Sequence, residues 1–342
     1  MTSFHAFTRR VLTRTLIASA VSATAATLLT LPTLAQAQPA ADYPSKPVRV
    51  IVGFPAGSVT DAIARLVSDQ LSKQLGQPFV VENKPGANGM LGATEVARAT
   101  PDGYTLLVTN SSSITINPQI YKKVAYKPTD FAPISQIIES PFIVVVNAPW
   151  AQAQHVNTLN DLVGYAKANP GKLSYGSAGP GNIAHLSFAM LGNRKQIDAV
   201  HVPYKAGSQA QLAALGGEIQ TLFDTPPVMP HLEAGKLKAL AVTGTQRMAK
   251  LPKVPTLAEA GVPGFEGATF WLAALAPKGT PPAVIDKLYA AIKHMPNDPA
   301  VKNALLMQGE PVVTDPATFA KRIAAEVPQW GAVIQREKIE MD

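Results

Sequence analysis

Residues 48–65 read V-R-V-I-V-G-F-P-A-G-S-V-T-D-A-I-A-R, which predicts a short apolar strand, a loop of small residues and the first turns of an amphipathic helix. Such a junction directs unpaired backbone N–H groups and the positive end of the helix dipole toward one point. An anion can bind there without a cationic side chain, and residues 54–60 carry no charge. The simpler alternative is a strand–helix connection in which Thr60 or Asp61 caps the helix.

A second loop of the same design, G-S-A-G-P-G at 176–181, lies between a predicted strand and a predicted helix. Its glycines are spaced G-x-x-G-x-G, whereas a dinucleotide-binding loop has G-x-G-x-x-G. The nearest following acid, Asp198, comes before the next strand and not at its end, so it is poorly placed to bind a ribose. Asp224 ends another apolar strand, where its carboxylate could accept a hydrogen bond from a ligand hydroxyl or ammonium; alternatively it caps the following helix. Two such loops in corresponding places favour ligand binding over simple connections.

Short apolar strands alternate with helical patterns along the chain, which predicts an α/β fold with largely parallel sheets. The predicted strands are 48–53, 78–82, 104–109, 134–138, 142–147, 172–175, 199–203, 219–223, 237–242 and 270–276. The pattern restarts after residue 147, and the chain is expected to cross between two units near 142–147 and 265–276. We therefore predict a discontinuous first domain, 38–143 with 264–342, and a second domain, 144–263, which face each other across a hinged cleft.

The first 37 residues have the features of a secretory signal peptide. A basic start is followed by an uncharged stretch at 15–34 and by the cleavage pattern Ala35-Gln36-Ala37. Serines and threonines dilute the stretch and Pro32 interrupts it, so a membrane anchor is the weaker alternative. We predict export with cleavage after Ala37, while Arg9 and Arg10 leave a twin-arginine route open.

Composition excludes several classes of function. Removing the leader takes away three of the 30 basic residues, which leaves 305 residues with 27 basic and 23 acidic side chains. This mild excess, without long basic runs, does not indicate a nucleic-acid partner. The chain has no cysteine, and its six histidines show no metal-ligand spacing, so neither thiolate catalysis nor a metal site is expected. No nucleotide or other cofactor motif is present.

The motifs together resemble the Bug family, the extracytoplasmic solute receptors of tripartite tricarboxylate transporters, over about residues 43–339. The resemblance is carried by F-P-A-G-S-V-T-D-A-I-A-R (54–65), E-N-K-P-G-A-N-G (82–89), Y-G-S-A-G-P-G-N-I-A-H-L (175–186), H-V-P-Y-K-A-G (201–207) and the L-F-D that ends at Asp224. It implies a two-domain periplasmic binding protein of type II, a Venus flytrap with two crossing strands. It also implies that small carboxylates bind between the domains through backbone N–H groups, hydroxyls and waters.

The resemblance also implies the positions of the ligand-binding residues. They are Phe54, Ala56, Gly57, Ser58, Thr60 and Asp61 in the first loop, Ser111 and Ser112 after the third strand, Ser177, Ala178, Gly179, Asn182 and His185 in the second loop and its helix, and Tyr204, Lys205 and Asp224 on the far wall. The family usually has glycine at the position of Ser58. This side chain is therefore expected to narrow the pocket and to add a hydroxyl.

The sequence thus predicts a periplasmic, monomeric, non-enzymatic receptor that captures a di- or tricarboxylate, an amino acid or an aromatic acid and delivers it to the permease subunits of a membrane transporter. One alternative is a sensor that presents the ligand to a membrane kinase. An alternative from another class is an exported hydrolase that uses Ser177 or Ser111 with a histidine, although neither serine lies in a known nucleophile motif.

Overall fold

The computed structural model describes residues 42–339. The predicted signal peptide and its cleavage site after Ala37 lie outside the described residues. Within the described part of the chain, no helix is both long enough and apolar enough to span a membrane.

Eleven strands of the described chain form two separate sheets. The strands are β1 Val48–Val52, β2 Phe79–Asn83, β3 Thr105–Asn110, β4 Phe131–Pro141, β5 Ile143–Asn147, β6 Leu173–Ser177, β7 Ala199–Pro203, β8 Thr221–Asp224, β9 Leu237–Val242, β10 Thr269–Pro277 and β11 Glu310–Pro311. The first sheet has the order β11-β4-β10-β3-β1-β2, and the second has the order β7-β6-β8-β5-β9. Strands β1, β2 and β3 pair in parallel in the first sheet, and β6, β7 and β8 do so in the second, as the alternating pattern predicts. The other pairings, which involve β5, β10 and β11, are antiparallel, so both sheets are mixed and the prediction of largely parallel sheets is wrong.

Helices cover both sheets. They are α1 Val59–Leu75, α2 Met90–Ala97, α3 Asn117–Ile120, α4 Ala148–Ala153, α5 Leu159–Ala168, α6 Ile183–Lys195, α7 Gly207–Gly216, α8 Met229–Glu233, α9 Pro282–Lys293, α10 Pro299–Leu306 and α11 Pro316–Arg336. Single helical turns lie at Ala87–Gly89, Ser112–Ile116, Pro128–Asp130, Pro226–Val228 and Met295–Asn297. Helix α1 buries Ile63, Val67 and Leu71 and ends at Gly76, which adopts the left-handed conformation that favours glycine.

The chain passes between the sheets at two adjacent places. β4 of the first sheet and β5 of the second are separated by Phe142 alone, and the return leads from β9 to β10. The two passages are bonded to each other, because Thr243 Oγ1 accepts from Phe142 N at 2.8 Å and donates to Ala268 O at 2.7 Å. The structure is a two-lobed α/β flytrap, and we call the parts around the first and second sheets the first and second lobes. The residue bounds of the two domains stay a prediction.

The structure departs from the sequence prediction between residues 111 and 120. The resemblance implies a loop after the third strand at Ser111 and Ser112, but Ser112–Ile116 forms a π-helical turn that leads into α3. Its serines are fully buried: Ser113 donates to Asn88 O, while Asn110 Oδ1 accepts from Ser113 N. Tertiary hydrogen bonds therefore compensate for the weak helical preference of serine.

Candidate functional site

The N-terminus of α1 faces the space between the lobes, and Ser58 caps it. Ser58 Oγ accepts from Asp61 N at 3.2 Å, so the alternative cap by Thr60 or Asp61 is wrong. The capping oxygen is also a hydroxyl whose proton remains available for an acceptor in the pocket. The first backbone N–H groups of a helix have no intrahelical partner, and no side chain of the described residues accepts from those of Val59 and Thr60.

The carboxylate of Asp61 supports this loop from behind. It accepts from Gly57 N at 3.0 Å, from Asn83 Nδ2 at 2.9 Å and from Arg65 Nε at 3.0 Å. Burial opposes ionisation of Asp61, but these hydrogen bonds outweigh it and hold its pKa below the usual range. Asp61 is 3 % exposed and its carboxylate is engaged with protein groups, so it positions the loop.

The second glycine-rich loop begins at the end of β6 and leads into α6. Asn182 caps α6 by accepting from Ala184 N at 2.9 Å, and Ile183 N donates to Ser112 Oγ of the first lobe at 3.0 Å. The first N–H groups of α6 are therefore already satisfied by side chains. Ser112 contributes to the site as a bridge between the lobes.

The N-terminus of α7 is a third element at the cleft, and it is absent from the predicted binding loops. Its N-cap residue is Ala206, which makes no side-chain hydrogen bond to the helix. No side chain of the described residues accepts from the first N–H groups, those of Gly207 and Ser208. The small side chains of A-G-S at 206–208, two residues beyond the predicted strand 199–203, were the available signal, because they leave these groups accessible.

These elements enclose a pocket, which we call the main pocket. Its volume is about 700 Å³ when the open mouth is included. Its lining residues are Phe54, Ser58, Val59, Thr60, Asn110, Phe142, Ser177, Ala178, Asn182, Ala184, Ala206, Gly207, Ser208, Ala210, Gln211, Leu222, Phe223, Asp224, Thr225, Pro227 and Phe270. Seven of the predicted site residues are among them: Phe54, Ser58, Thr60, Ser177, Ala178, Asn182 and Asp224. Asp224 is the single ionisable residue in this lining, so a bound anion would meet dipoles and no cationic side chain.

Three further predicted residues, Gly179, Tyr204 and Lys205, line a neighbouring cavity, the side pocket. It adjoins the main pocket at Phe54 and Ala178, which line both. Lys205 is exposed there. The predicted site is thus divided between two adjoining cavities.

The remaining predicted residues do not line the main pocket. They are Ala56 and Gly57, which lie on the exposed part of the first loop, and Asp61, Ser111, Ser112 and His185, which are buried. His185 Nδ1 accepts from Gly181 N at 3.3 Å, and its ring stacks on that of His201 at 4.0 Å. Burial, together with the charge of His201, lowers the pKa of His185 to about 3, so this side chain is a neutral part of the wall behind the loop.

Asp224 ends β8 at the base of the main pocket. Its Oδ2 accepts from Gln211 Nε2 at 2.9 Å, and its Oδ1 accepts from Thr225 N at 2.8 Å. The helix-capping alternative is wrong, because Thr225 occupies the N-cap position of the following turn. Burial raises the pKa of Asp224 to about 6, only partly offset by the hydrogen bonds from Gln211 and Thr225.

A serine and a histidine do meet near the pocket, as the hydrolase alternative requires. Ser177 Oγ lies 2.8 Å from His201 Nε2 and 3.0 Å from Gly179 O. However, burial lowers the pKa of His201 to about 4, which makes its ring a weak base at neutral pH. No carboxylate of the described residues bonds to the His201 ring. Among the described residues there is likewise no cluster of three or more side chains that could hold a metal ion.

Comparisons with known proteins agree with this architecture. A family model described as tripartite tricarboxylate transporter family receptor matches residues 63–339. The chain is 34 % identical to protein BugT of Bordetella pertussis over 86 % of this chain and 90 % of that protein.

Solved structures of similar proteins give the same fold. The periplasmic binding protein BugD superposes with a TM-score of 0.81 at 33 % identity, over 88 % of this chain and 100 % of that one. The R. palustris protein Rpa4515 with adipate has a TM-score of 0.81 at 31 % identity, over 87 % and 99 % of the two chains. MatC from Rhodopseudomonas palustris with bound malate has a TM-score of 0.78 at 30 % identity, over 85 % and 100 %.

Proposed function

Because the chain belongs to the tripartite tricarboxylate transporter receptor family, we propose that it is a periplasmic solute receptor that binds a small organic carboxylate in the main pocket and delivers it to the membrane subunits of such a transporter. The observation that carries this proposal is the pair of helix N-termini, α1 from the first lobe and α7 from the second, which present unoccupied N–H groups to one pocket without lysine or arginine. Helix dipoles and backbone N–H groups stabilise a carboxylate in such a place.

Similar structures with bound adipate and malate support a carboxylate as the ligand. A receptor that closes on its ligand also needs a hinge. The two adjacent segments that connect the sheets, which are hydrogen-bonded to each other through Thr243, are suited to act as this hinge. We further propose that the protein is not an enzyme, because the weakly basic His201 would not activate Ser177.

Calorimetric titration of the purified protein with a panel of C4–C6 dicarboxylates, tricarboxylates, amino acids and aromatic acids tests the binding step. A true ligand at 100 times its dissociation constant stabilises the protein by about 2.7 kcal/mol. The absence of any heat or thermal shift across the panel would refute the proposal.

The role of the α1 N-terminus is tested with Ser58→Ala and a matched control, Thr158→Ala. Thr158 caps α5 in the same way, by accepting from Asp161 N at 3.2 Å, but it does not line the main pocket. Both variants should lose about 1 kcal/mol of stability. Only Ser58→Ala should also weaken ligand binding, by roughly tenfold, since it removes one hydrogen bond to the carboxylate. Equal affinities for the two variants would exclude Ser58 from the site.

The delivery step is tested by uptake of the radiolabelled ligand in cells with and without the receptor gene. Uptake that depends on the receptor supports transport. Unchanged uptake, with loss of a transcriptional response to the ligand, would favour the sensor alternative.

A further inference from the structure

Two hydrogen bonds join the lobes outside the main pocket. Tyr121, which directly follows α3 in the first lobe, donates from its hydroxyl to Pro180 O in the second glycine-rich loop at 2.6 Å. Ser112 of the first lobe accepts from Ile183 N, at the start of α6, at 3.0 Å. Because neither contact belongs to the two passages that connect the sheets, both bonds break when the lobes separate about the hinge.

The first-lobe side of this contact is fixed by bonds within that lobe. Asn88 accepts from Asn182 Nδ2 across the cleft at 3.4 Å. The side-chain amide of Asn88 donates to Asn117 Oδ1 at 2.9 Å, and its backbone oxygen accepts from Ser113 Oγ at 3.1 Å. Ser112 lies in the buried π-helical turn that also contains Ser113. The first lobe therefore presents these partners already oriented, which lowers the entropy cost of closure.

The second-lobe side has the shape that Tyr121 requires. Gly181 has a φ of +70°, and a Cβ atom at this position would lie 2.9 Å from Cε2 of the Tyr121 ring and 3.1 Å from its hydroxyl oxygen. Both separations are shorter than ordinary van der Waals contact. Glycine at 181 therefore lets the Tyr121 hydroxyl reach Pro180 O, and a larger residue would keep the lobes apart.

All partners in these contacts are protein groups, so the free energy that they contribute to closure does not depend on a ligand. On closure each donor exchanges a hydrogen bond to water for one to the other lobe. One typical bond of this kind raises the ratio of closed to open molecules by about fivefold. Ser112 and Asn88 are buried in the closed arrangement, so water does not compete for their oxygens there.

We propose that Tyr121, Ser112 and Asn88 form a latch with residues 180–183, and that this latch holds the lobes closed in the ligand-free protein. The affinity of a ligand that binds the closed form rises in proportion to the closed fraction, so the latch acts on every such ligand alike. The effect on affinity rests on the proposed receptor function, whereas the latch itself can be measured without a ligand.

Distances between two spin labels, measured by electron paramagnetic resonance, test the latch. The chain has no cysteine, so Lys73→Cys in α1 and Lys167→Cys in α5, both at exposed positions, place one label on each lobe of the mature protein. Unfolding in urea and dialysis remove any ligand that copurifies. We expect a population at the label distance of the closed lobes. Tyr121→Phe should lower the ratio of closed to open molecules about fivefold, and Gly181→Ala should shift the protein to the open form.

Two matched controls separate the latch from general effects on stability. Tyr43→Phe removes the same hydroxyl group from a bond inside the first lobe, where Tyr43 donates to Gly103 O at 2.8 Å. Gly235→Ala, in the second lobe, adds a methyl group at a similar φ of +65° but with open space around it. Neither control should change the closed fraction.

A wholly open ligand-free wild-type protein would overturn the proposal. An unchanged closed fraction in both latch variants, or an equal loss in their controls, would do the same. Calorimetric titration with the carboxylate panel tests the consequence for affinity: Tyr121→Phe should weaken every ligand by one common factor of at most about fivefold. A loss confined to one ligand would place Tyr121 in the ligand site and refute its role in the latch. Failure of every carboxylate to bind wild-type protein would refute the proposed function and leave the latch standing.

Discussion

Removal of the Asp224 charge should stabilise the ligand-free protein at neutral pH. The pKa of this carboxyl is raised from 3.8 to about 6 by burial, so the folded state holds the proton more tightly than the unfolded state does. The charged carboxylate therefore destabilises the fold above pH 6, and the penalty disappears as the pH falls below 4. At about 1.4 kcal/mol for each pH unit between the two values, the full penalty is about 3 kcal/mol.

The substitution Asp224→Asn removes that penalty but offers one acceptor oxygen where the carboxylate had two. Gln211 and Thr225 both donate to Asp224, so one donor loses its partner unless the amide of Gln211 turns over. A lost hydrogen bond costs about 1 kcal/mol. We therefore expect Asp224→Asn to be about 2 kcal/mol more stable than wild type at pH 7.5. At pH 4.5 about 1 kcal/mol of the penalty remains and the lost bond cancels it, so the two proteins should be about equal.

Urea unfolding of the ligand-free proteins at pH 7.5 and pH 4.5 measures both differences. Asp61→Asn is the matched control, because hydrogen bonds from Arg65, Asn83 and Gly57 hold the pKa of Asp61 low despite its burial. Its charge stabilises the fold above pH 4, and this contribution is lost only as the pH falls through its lowered pKa. Asp61→Asn should therefore be less stable than wild type, by about 1–3 kcal/mol, at both pH values. If Asp224→Asn were destabilised by the same amount at both pH values, the ionised Asp224 carboxylate would carry no net penalty in the folded protein, which would refute the raised pKa.

Two further variants probe the helix N-termini. Ser112→Ala leaves the buried Ile183 N–H without its acceptor and should lower the free energy of unfolding in urea by about 1–3 kcal/mol. The control is Ser68→Ala, which should be nearly neutral because the buried hydroxyl of Ser68 has no hydrogen-bond partner among the described residues. Ala206→Ser supplies α7 with the side-chain cap that it lacks, so it should gain about 1 kcal/mol in stability and lose roughly tenfold in ligand affinity, because the new hydroxyl competes for the same N–H groups. Unchanged affinity in calorimetric titration would remove α7 from the ligand site.

Much of the fold could be predicted because local signals and tertiary packing agree. Apolar runs predicted β7 and β9 to the residue. The cap of α1 was misassigned although its signal was present. Ser58 to Asp61 has the spacing of a capping box, with the cap serine three residues before an acid.

The features that the sequence does not predict depend on contacts between segments that lie far apart along the chain. The serines at 111–113 look like a loop in sequence, and their partners Asn88 and Ile183 lie 25 and 71 residues away along the chain. The same contact changes the candidate site. Because Ser112 and Asn182 occupy the first N–H groups of α6, the unoccupied donors of the second lobe are those of α7. No local pattern reveals which of two helix N-termini is already satisfied.

The unoccupied donors and the unbalanced acceptor in the main pocket have one physical explanation. Capping α7 and removing the charge of Asp224 would each stabilise the empty protein, yet the chain has an alanine at the cap and an aspartate at the base. A ligand that accepts hydrogen bonds from the open N–H groups and donates one to Asp224 would satisfy both ends at once. The stability that these two groups withhold from the empty protein would then contribute to the free energy of ligand binding.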